Sequence, residues 1–302
     1  MTAQHTMKFL LASAIGLALV ACGGGSNDQN GAGDGSDTLD TVAQAGSTNL
    51  MKVGGKLFNV PSPIETALLI HKLGLAYQKD LPLSTENVAG YATKTTRSLA
   101  LGMFGADMAY VTVHQDGQRA LSTLRAIEEV GSALDLTNAF DKALLDRYKN
   151  NLTNEDSLLR MSGAAYRAAD RYLKTNERDD VSALVLAGGW VESMYLTLSN
   201  AGTAQDQNVA NRVGEQKRTL NDLIALIEQA DKEKACASLV AGLKDLQTAF
   251  AAINVTYQYE PPVTDAANKI THINSTSTVT ITPEQLKAIT SKVTTLRSTI
   301  LA

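Results

Sequence analysis

Apolar residues recur along most of this chain at the three- and four-residue steps of an α-helix. The cleanest case is Leu286, Ile289, Val293, Leu296 and Ile300, which step by 3, 4, 3 and 4 and line one stripe. Thr282-Pro283-Glu284-Gln285 precedes it as a capping box, with proline at the first helical position, where its missing N–H costs nothing. Ser62-Pro63-Ile64-Glu65 repeats that arrangement and predicts a helix running to about Gln78. Leu81-Pro82-Leu83-Ser84 then breaks the chain, and a long helical region is expected near 86–114. Asp116-Gly117 restarts it, and Leu121, Leu124, Ile127, Val130 and Leu134 return at helical spacing.

The same reading places a short helix near 138–151 and another opening at Asn154-Glu155-Asp156, with Leu158, Ala165, Ala169 and Tyr172 inward. A further helix runs from Asp179-Asp180, whose charges suit a helix N-terminus, to Asn200-Ala201-Gly202. Val209 to Ile227 and Leu239 to Ile253 mark two more. Only Val255-Thr256-Tyr257-Gln258-Tyr259 and Thr278-Val279-Thr280-Ile281 alternate with period two, which predicts a small β-hairpin near 255–281. The expected fold is therefore all-α, an antiparallel helical array of about 8–9 helices, arranged as an α-α superhelix or as stacked bundles. Helix pairs recur at a solenoid-like spacing, but no shared sequence signature goes with them.

Small residues change this picture in two helices. Ala100, Gly102, Gly105 and Ala106 in one, and Gly188-Gly189 in the other, occupy helix interiors, where glycine costs about 1 kcal/mol against alanine. Close helix–helix approach is the use that justifies that cost. Both segments also carry an acid three residues before a tyrosine amid apolar neighbours: Asp107 with Tyr110, and Glu192 with Tyr195, the latter beside the sole tryptophan, Trp190. A carboxylate in an apolar stripe must find hydrogen bonds or raise its own pKa. Three readings are open: acids that accept from a tyrosine or an orphan backbone N–H in a helix contact, a polar and aromatic ligand pocket formed by Asp107, Tyr110, Trp190, Glu192 and Tyr195, or a carboxylate pair performing hydrolysis.

The start of the chain has a different character. Phe9 to Val20 is an apolar run too short to span a bilayer as a helix, preceded by Lys8 and ended by Leu19-Val20-Ala21-Cys22. That run reads as a signal peptide over 1–21. The segment 22–55 reads as a flexible tether, since 23–49 is rich in Gly, Ser, Asn, Asp and Thr, with four Asp and no Lys or Arg. The single helical domain then covers 56–302.

Leu19-Val20-Ala21-Cys22 resembles the lipobox of bacterial lipoproteins. The resemblance implies diacylglycerol on the Cys22 sulfur, cleavage before that residue, and acylation of the new amine by a fatty acid such as palmitate. Gly23, where Asp would signal retention at the inner membrane, implies the outer membrane, on a face that the sequence does not specify. The segments Phe58-Asn59-Val60-Pro61-Ser62-Pro63, Ala106-Asp107-Met108-Ala109-Tyr110 and Gly188-Gly189-Trp190-Val191-Glu192 resemble a family of helical lipoproteins from Gram-negative bacteria. The likeness covers about residues 56–200 and implies an α-helical envelope protein, with no reaction and no active-site residues to carry over.

Charge and candidate chemistry narrow the function further. The chain holds 27 Lys and Arg against 31 Asp and Glu, a net charge of −4 that becomes −5 if Lys8 leaves with the signal. With no basic run, no nucleic-acid partner is expected. With Cys22 acylated, Cys236 is the remaining thiol, and its apolar helical setting reads as core. His71, His114 and His272 stand without metal-ligand spacing, and no serine elbow, phosphate loop or CxxC occurs, so no catalytic residue, metal or cofactor is assigned. The function expected is a lipid-anchored envelope protein acting as a binding or interaction module for a small molecule or an envelope protein. The alternatives are an envelope hydrolase using Asp107 and Glu192 as acid and base, and a structural subunit of an envelope complex.

Overall fold

The computed structural model describes residues 49–53, 56–60, 63–72, 74–137, 142–151, 155–200, 206–265 and 270–302. The segments expected to be signal and tether, with Cys22, lie outside these residues but for 49–53, as does Ser62 of the first expected capping box. Within them the chain is all-α, with nine helices: α1 (Pro63–Lys72), α2 (Lys94–Val113), α3 (Gly117–Ala133), α4 (Lys142–Lys149), α5 (Glu155–Thr175), α6 (Asp179–Asn200), α7 (Gln207–Ala230), α8 (Ala237–Ala251) and α9 (Pro283–Leu301). Three two-stranded antiparallel ribbons accompany them. β1 (Asn49–Val53) pairs with β2 (Lys56–Val60), β3 (Asn254–Gln258) with β6 (Thr276–Thr280), and β4 (Val263–Asp265) with β5 (Ile270–His272).

Helix ends follow local chemistry. Thr282 accepts from the Gln285 N–H while Gln285 returns a bond to the Thr282 N–H, closing the capping box before α9. Asp116 caps α3 by accepting from the Arg119 N–H at 3.0 Å. The helix predicted to reach Gln78 stops at Lys72. Gly74, at φ +67°, sends its N–H to the His71 carbonyl while Leu75 reaches back to Ile70, a Schellman closure that only a left-handed residue permits readily. The region predicted helical from 86 begins as a helix only at Lys94, after a single 3₁₀ turn at Val88–Gly90. Thr93 and Thr96 form its capping box. β1 opens at Asn49, inside the span assigned to the tether, because Leu50, Met51 and Val53 pair with Asn59, Phe58 and Lys56 in a hairpin whose register leaves only Gly54 and Gly55 between the strands.

The core is built on α2 and α6, the most extensive helix pair. Lys94 meets Asp180, Gly102 meets the Val185 carbonyl, and Asp107 meets Glu192, so residue numbers climb together and the two helices run parallel. Glycine makes the approach possible. A Cβ at Gly102 would overlap the Val185 carbonyl oxygen, and one at Gly188 would overlap that of Leu99. The close packing expected of these glycines is the observed one.

Sequential neighbours instead pair antiparallel. Gln247 with Asn221 and Lys244 with Glu228 bind α8 to α7, and Lys292 with Asp245 binds α9 to α8. α1, α3, α5, α7 and α9 surround the central pair, so the array takes a bundle form rather than a stack in which each repeat touches only its neighbours. α6 is apolar around its whole girth, long and apolar enough to cross a membrane, but 83% of that window is buried inside the protein. It is the core helix.

Candidate functional site

The parallel run of α2 and α6 carries the two acids of the sequence analysis to one point. Asp107 and Glu192 both have 0% exposure. Glu192 is gripped by Arg297 of α9, which the sequence did not single out: Nε donates to Oε2 at 2.7 Å and Nη2 to Oε1 at 2.8 Å. The same Nη2 donates to the Leu81 carbonyl at 3.1 Å, and the guanidinium lies 4.0 Å from the ring centroid of Tyr195. Asp107 Oδ2 accepts the Leu83 N–H at 2.9 Å, the kind of orphan backbone donor the sequence reading anticipated. No donor meets Asp107 Oδ1.

That orphan oxygen is explained by protonation. Burial, reinforced by the charge of Glu192, pushes the Asp107 carboxyl well above the usual carboxylate range. Burial raises Glu192 as well, and the Arg297 fork opposes the rise. Asp107 has no cation of its own and faces Glu192, so of the two acids it is the one whose protonated form burial and charge favour. With the proton on Asp107 the group sums to zero: a neutral acid, a carboxylate and a guanidinium. Neither carboxyl is open to a substrate, and only the Arg297 side chain keeps partial exposure, 15%.

These bonds fasten the crossing between α1 and α2. Arg297 takes the Leu81 carbonyl, Arg119 Nη2 takes those of Pro82 (3.2 Å) and Leu83 (2.6 Å), and Asp107 takes the Leu83 N–H. Leu83 is buried, and the carbonyls of Leu81, Pro82 and Leu83 and the Leu83 N–H each have a partner.

The remaining predicted pocket residues part company. Tyr195 stays with the centre beneath Arg297. Tyr110 is fully buried one turn from Asp107, where its hydroxyl accepts the Gln78 N–H at 3.0 Å. Its ring packs 5.4 Å from Tyr77 and 4.8 Å from His114, in an aromatic group with His71. Tyr77 donates to Asp116 at 2.8 Å, and burial pushes its phenol pKa up. Trp190, nearly opposite Glu192 on the helical wheel, faces α7 and donates its indole N–H to Gln216 at 2.9 Å.

Trp190 forms part of an open groove of about 490 Å³ between α1, α6 and α7. Leu69, Met194 and Val213 give it apolar walls, Ser193, Thr197 and Gln216 neutral polar ones, and Glu65, Arg212 and Glu215 charged ones. A second groove of similar volume lies where α2, α6 and α8 begin, crossed by the Lys94–Asp180 ion pair. Cys236 is at that groove, 5% exposed; burial pushes its thiol up to about 11, so it stays protonated near neutrality, as a core cysteine should. Among the described residues no three His, Cys, Asp or Glu side chains are placed to hold a metal ion.

Comparison with family models, with curated proteins and with solved structures finds no match to this chain.

Proposed function

We propose that this chain is an acylated cell-envelope protein, attached to the outer membrane through Cys22, and that its helical body is a binding module whose ligand lies in the groove between α1, α6 and α7. The observation that carries the second half is the groove itself. Its volume suits a small molecule, its walls are mixed, and the indole of Trp190 belongs to its lining with the N–H already committed to Gln216. The chemical class that fits is a compact amphipathic molecule with an apolar body and a few hydroxyl or amide groups.

The anchor rests on the sequence: an apolar run of signal length, a lipobox-like Leu19-Val20-Ala21-Cys22, and a polar tether. Two or more acyl chains make such attachment stable where one is marginal. Hydrolysis by Asp107 and Glu192, the competing reading, needs a substrate between two carboxyls that have no exposure.

Two measurements test the proposal separately. Cells fed labelled palmitate incorporate label into the native chain and not into Cys22→Ser, which leaves the membrane fraction; label in both, or in neither, overturns the anchor. The fluorescent probe 1-anilinonaphthalene-8-sulfonate, added to the purified protein, quenches the sole tryptophan by energy transfer from the neighbouring groove. Leu69→Glu, which places a charge of the probe's own sign in the wall, weakens that quenching at least tenfold. Equal quenching in both proteins overturns the groove as binding site.

A further inference from the structure

The ribbons β3–β6 and β4–β5 form one arm between α8 and α9. Ser275 Oγ joins the two ribbons, accepting from the Glu260 N–H at 3.1 Å and donating to its carbonyl at 3.0 Å. The large apolar side chains exposed among the described residues all lie on this arm: Val255, Tyr257, Tyr259, Val263, Ile270 and Ile273.

They are not scattered. In the observed register Val255 pairs with Val279 and Tyr257 with Ser277, so Val255 and Tyr257 share the face of Val279, and Tyr259 follows just beyond the strand. The opposite face carries Thr256, Gln258, Thr276 and Thr278. In the distal ribbon Val263 and Ile270 share one face with their partners His272 and Asp265, while Thr264 and Thr271 meet at 3.1 Å on the other. The arm is amphipathic, and only the base of its apolar face is covered: Val279 is 2% exposed and packs where Gly214 of α7 leaves no room for a Cβ. Beyond that point the face leaves the helices, whereas a two-stranded ribbon alone in water is marginal at best.

We propose that the occupant of this face is the arm of a second copy of the same chain, packed apolar face to apolar face about a two-fold axis. Area favours it. The six side chains are 40% to 79% exposed, and an uncovered apolar patch of about 300–600 Å² is the most that a monomer ordinarily leaves. Two such faces together bury on the order of 1,200 Å², where specific interfaces begin. A two-fold pairing covers both faces at once and requires no other component.

Charge argues against a lipid surface. Peripheral membrane elements carry Lys and Arg on the polar side, whereas here that side is Thr and Gln. Residues 254–280 hold Glu260 and Asp265 against Lys269, in a chain of net charge −4. The tether does not suit the role either, since Leu39 and Val42 are the only large apolar residues in 23–48. Edge-to-edge strand pairing is also disfavoured, because it leaves the apolar face wet.

The test is thiol cross-linking of the full chain in its own membrane with a short bifunctional reagent. Single cysteines replace Tyr257, Tyr259 or Val263 on the apolar face, and Thr256, Gln258 or Thr264 on the polar face; the parent chain is the background. At least one apolar-face variant gives a product of twice the chain mass, at ten times or more the yield of any polar-face variant. No product above background, or equal yield from both faces, overturns the proposal. Tyr257→Ser/Tyr259→Ser/Ile270→Ser then abolishes self-association in sedimentation with an unchanged helical circular dichroism spectrum. A chain that sediments as monomer yet binds vesicles of phosphatidylethanolamine and phosphatidylglycerol through the arm also overturns it, in favour of lipid.

Discussion

Arg297 is the residue on which the interior depends. Removing it leaves Glu192 at zero exposure with its only cation gone, and breaking a buried pair in this way costs about 3–5 kcal/mol. Arg297→Met is expected to lower stability by that amount in urea unfolding. Arg297→Leu/Glu192→Leu recovers most of it, because no charge is then stranded. Asp107 gives a signed pH dependence. Its folded pKa is raised above the unfolded value of 3.8, so above that pH the folded state holds the extra proton. Stability therefore falls as pH rises from about 4 toward the folded pKa, by about 1.4 kcal/mol per unit. Asp107→Asn, a permanent neutral, is expected to flatten that fall and to be no less stable than the native protein at pH 7.

The need of Asp107 and Glu192 for partners was legible, because an acid in an apolar helical stripe cannot be left alone. The partner was not: Arg297 lies 105 residues from Glu192, on the flank of an ordinary amphipathic helix. Nor could spacing tell that Tyr110, Trp190 and Tyr195 face three different neighbours, since a residue's angle on its helix does not say what packs there.

Among elements, α2 and α6 impose the tightest geometric demand. Gly102→Ala sets a methyl against the Val185 carbonyl, backbone that cannot rotate away, so the helices must separate. A loss of about 3 kcal/mol or more is expected in thermal or urea unfolding, at the upper end of overpacking costs, while Gly90→Ala, facing only the Asn87 side chain, changes little by comparison. Helix existence was readable from period, and the start of α9 from its Thr-Pro-Glu-Gln box. The start of α2 was hidden because its reciprocal cap uses Thr96 in place of Glu or Gln. The end of α1 was hidden because apolar residues continue through Leu73, Leu75 and Ala76 and mask the stop at Gly74. The β1–β2 hairpin is hidden because its first strand falls within the polar span 22–55, whose overall composition it does not share.

For the whole molecule, the all-α class and the hairpin near 255–281 followed from periodicity alone. The parallel central pair did not, because short loops argue for antiparallel neighbours and α2 and α6 are separated by three helices. One core built on that pair predicts one transition. Trp190 emission and helical circular dichroism should lose signal at the same urea concentration, and separate midpoints would count against a single cooperative body.

The reach of Arg297 has a temporal consequence. A chain made or delivered from its N-terminus presents Glu192 105 residues before the group that neutralises it. At 5–20 residues per second that is a wait of roughly 5–20 s. In that interval the two central helices can meet only by keeping a second acid protonated, so nascent chains halted before α9 should stay digestible by protease where longer ones resist. Closure of the interior is thereby timed to the arrival of its last helix.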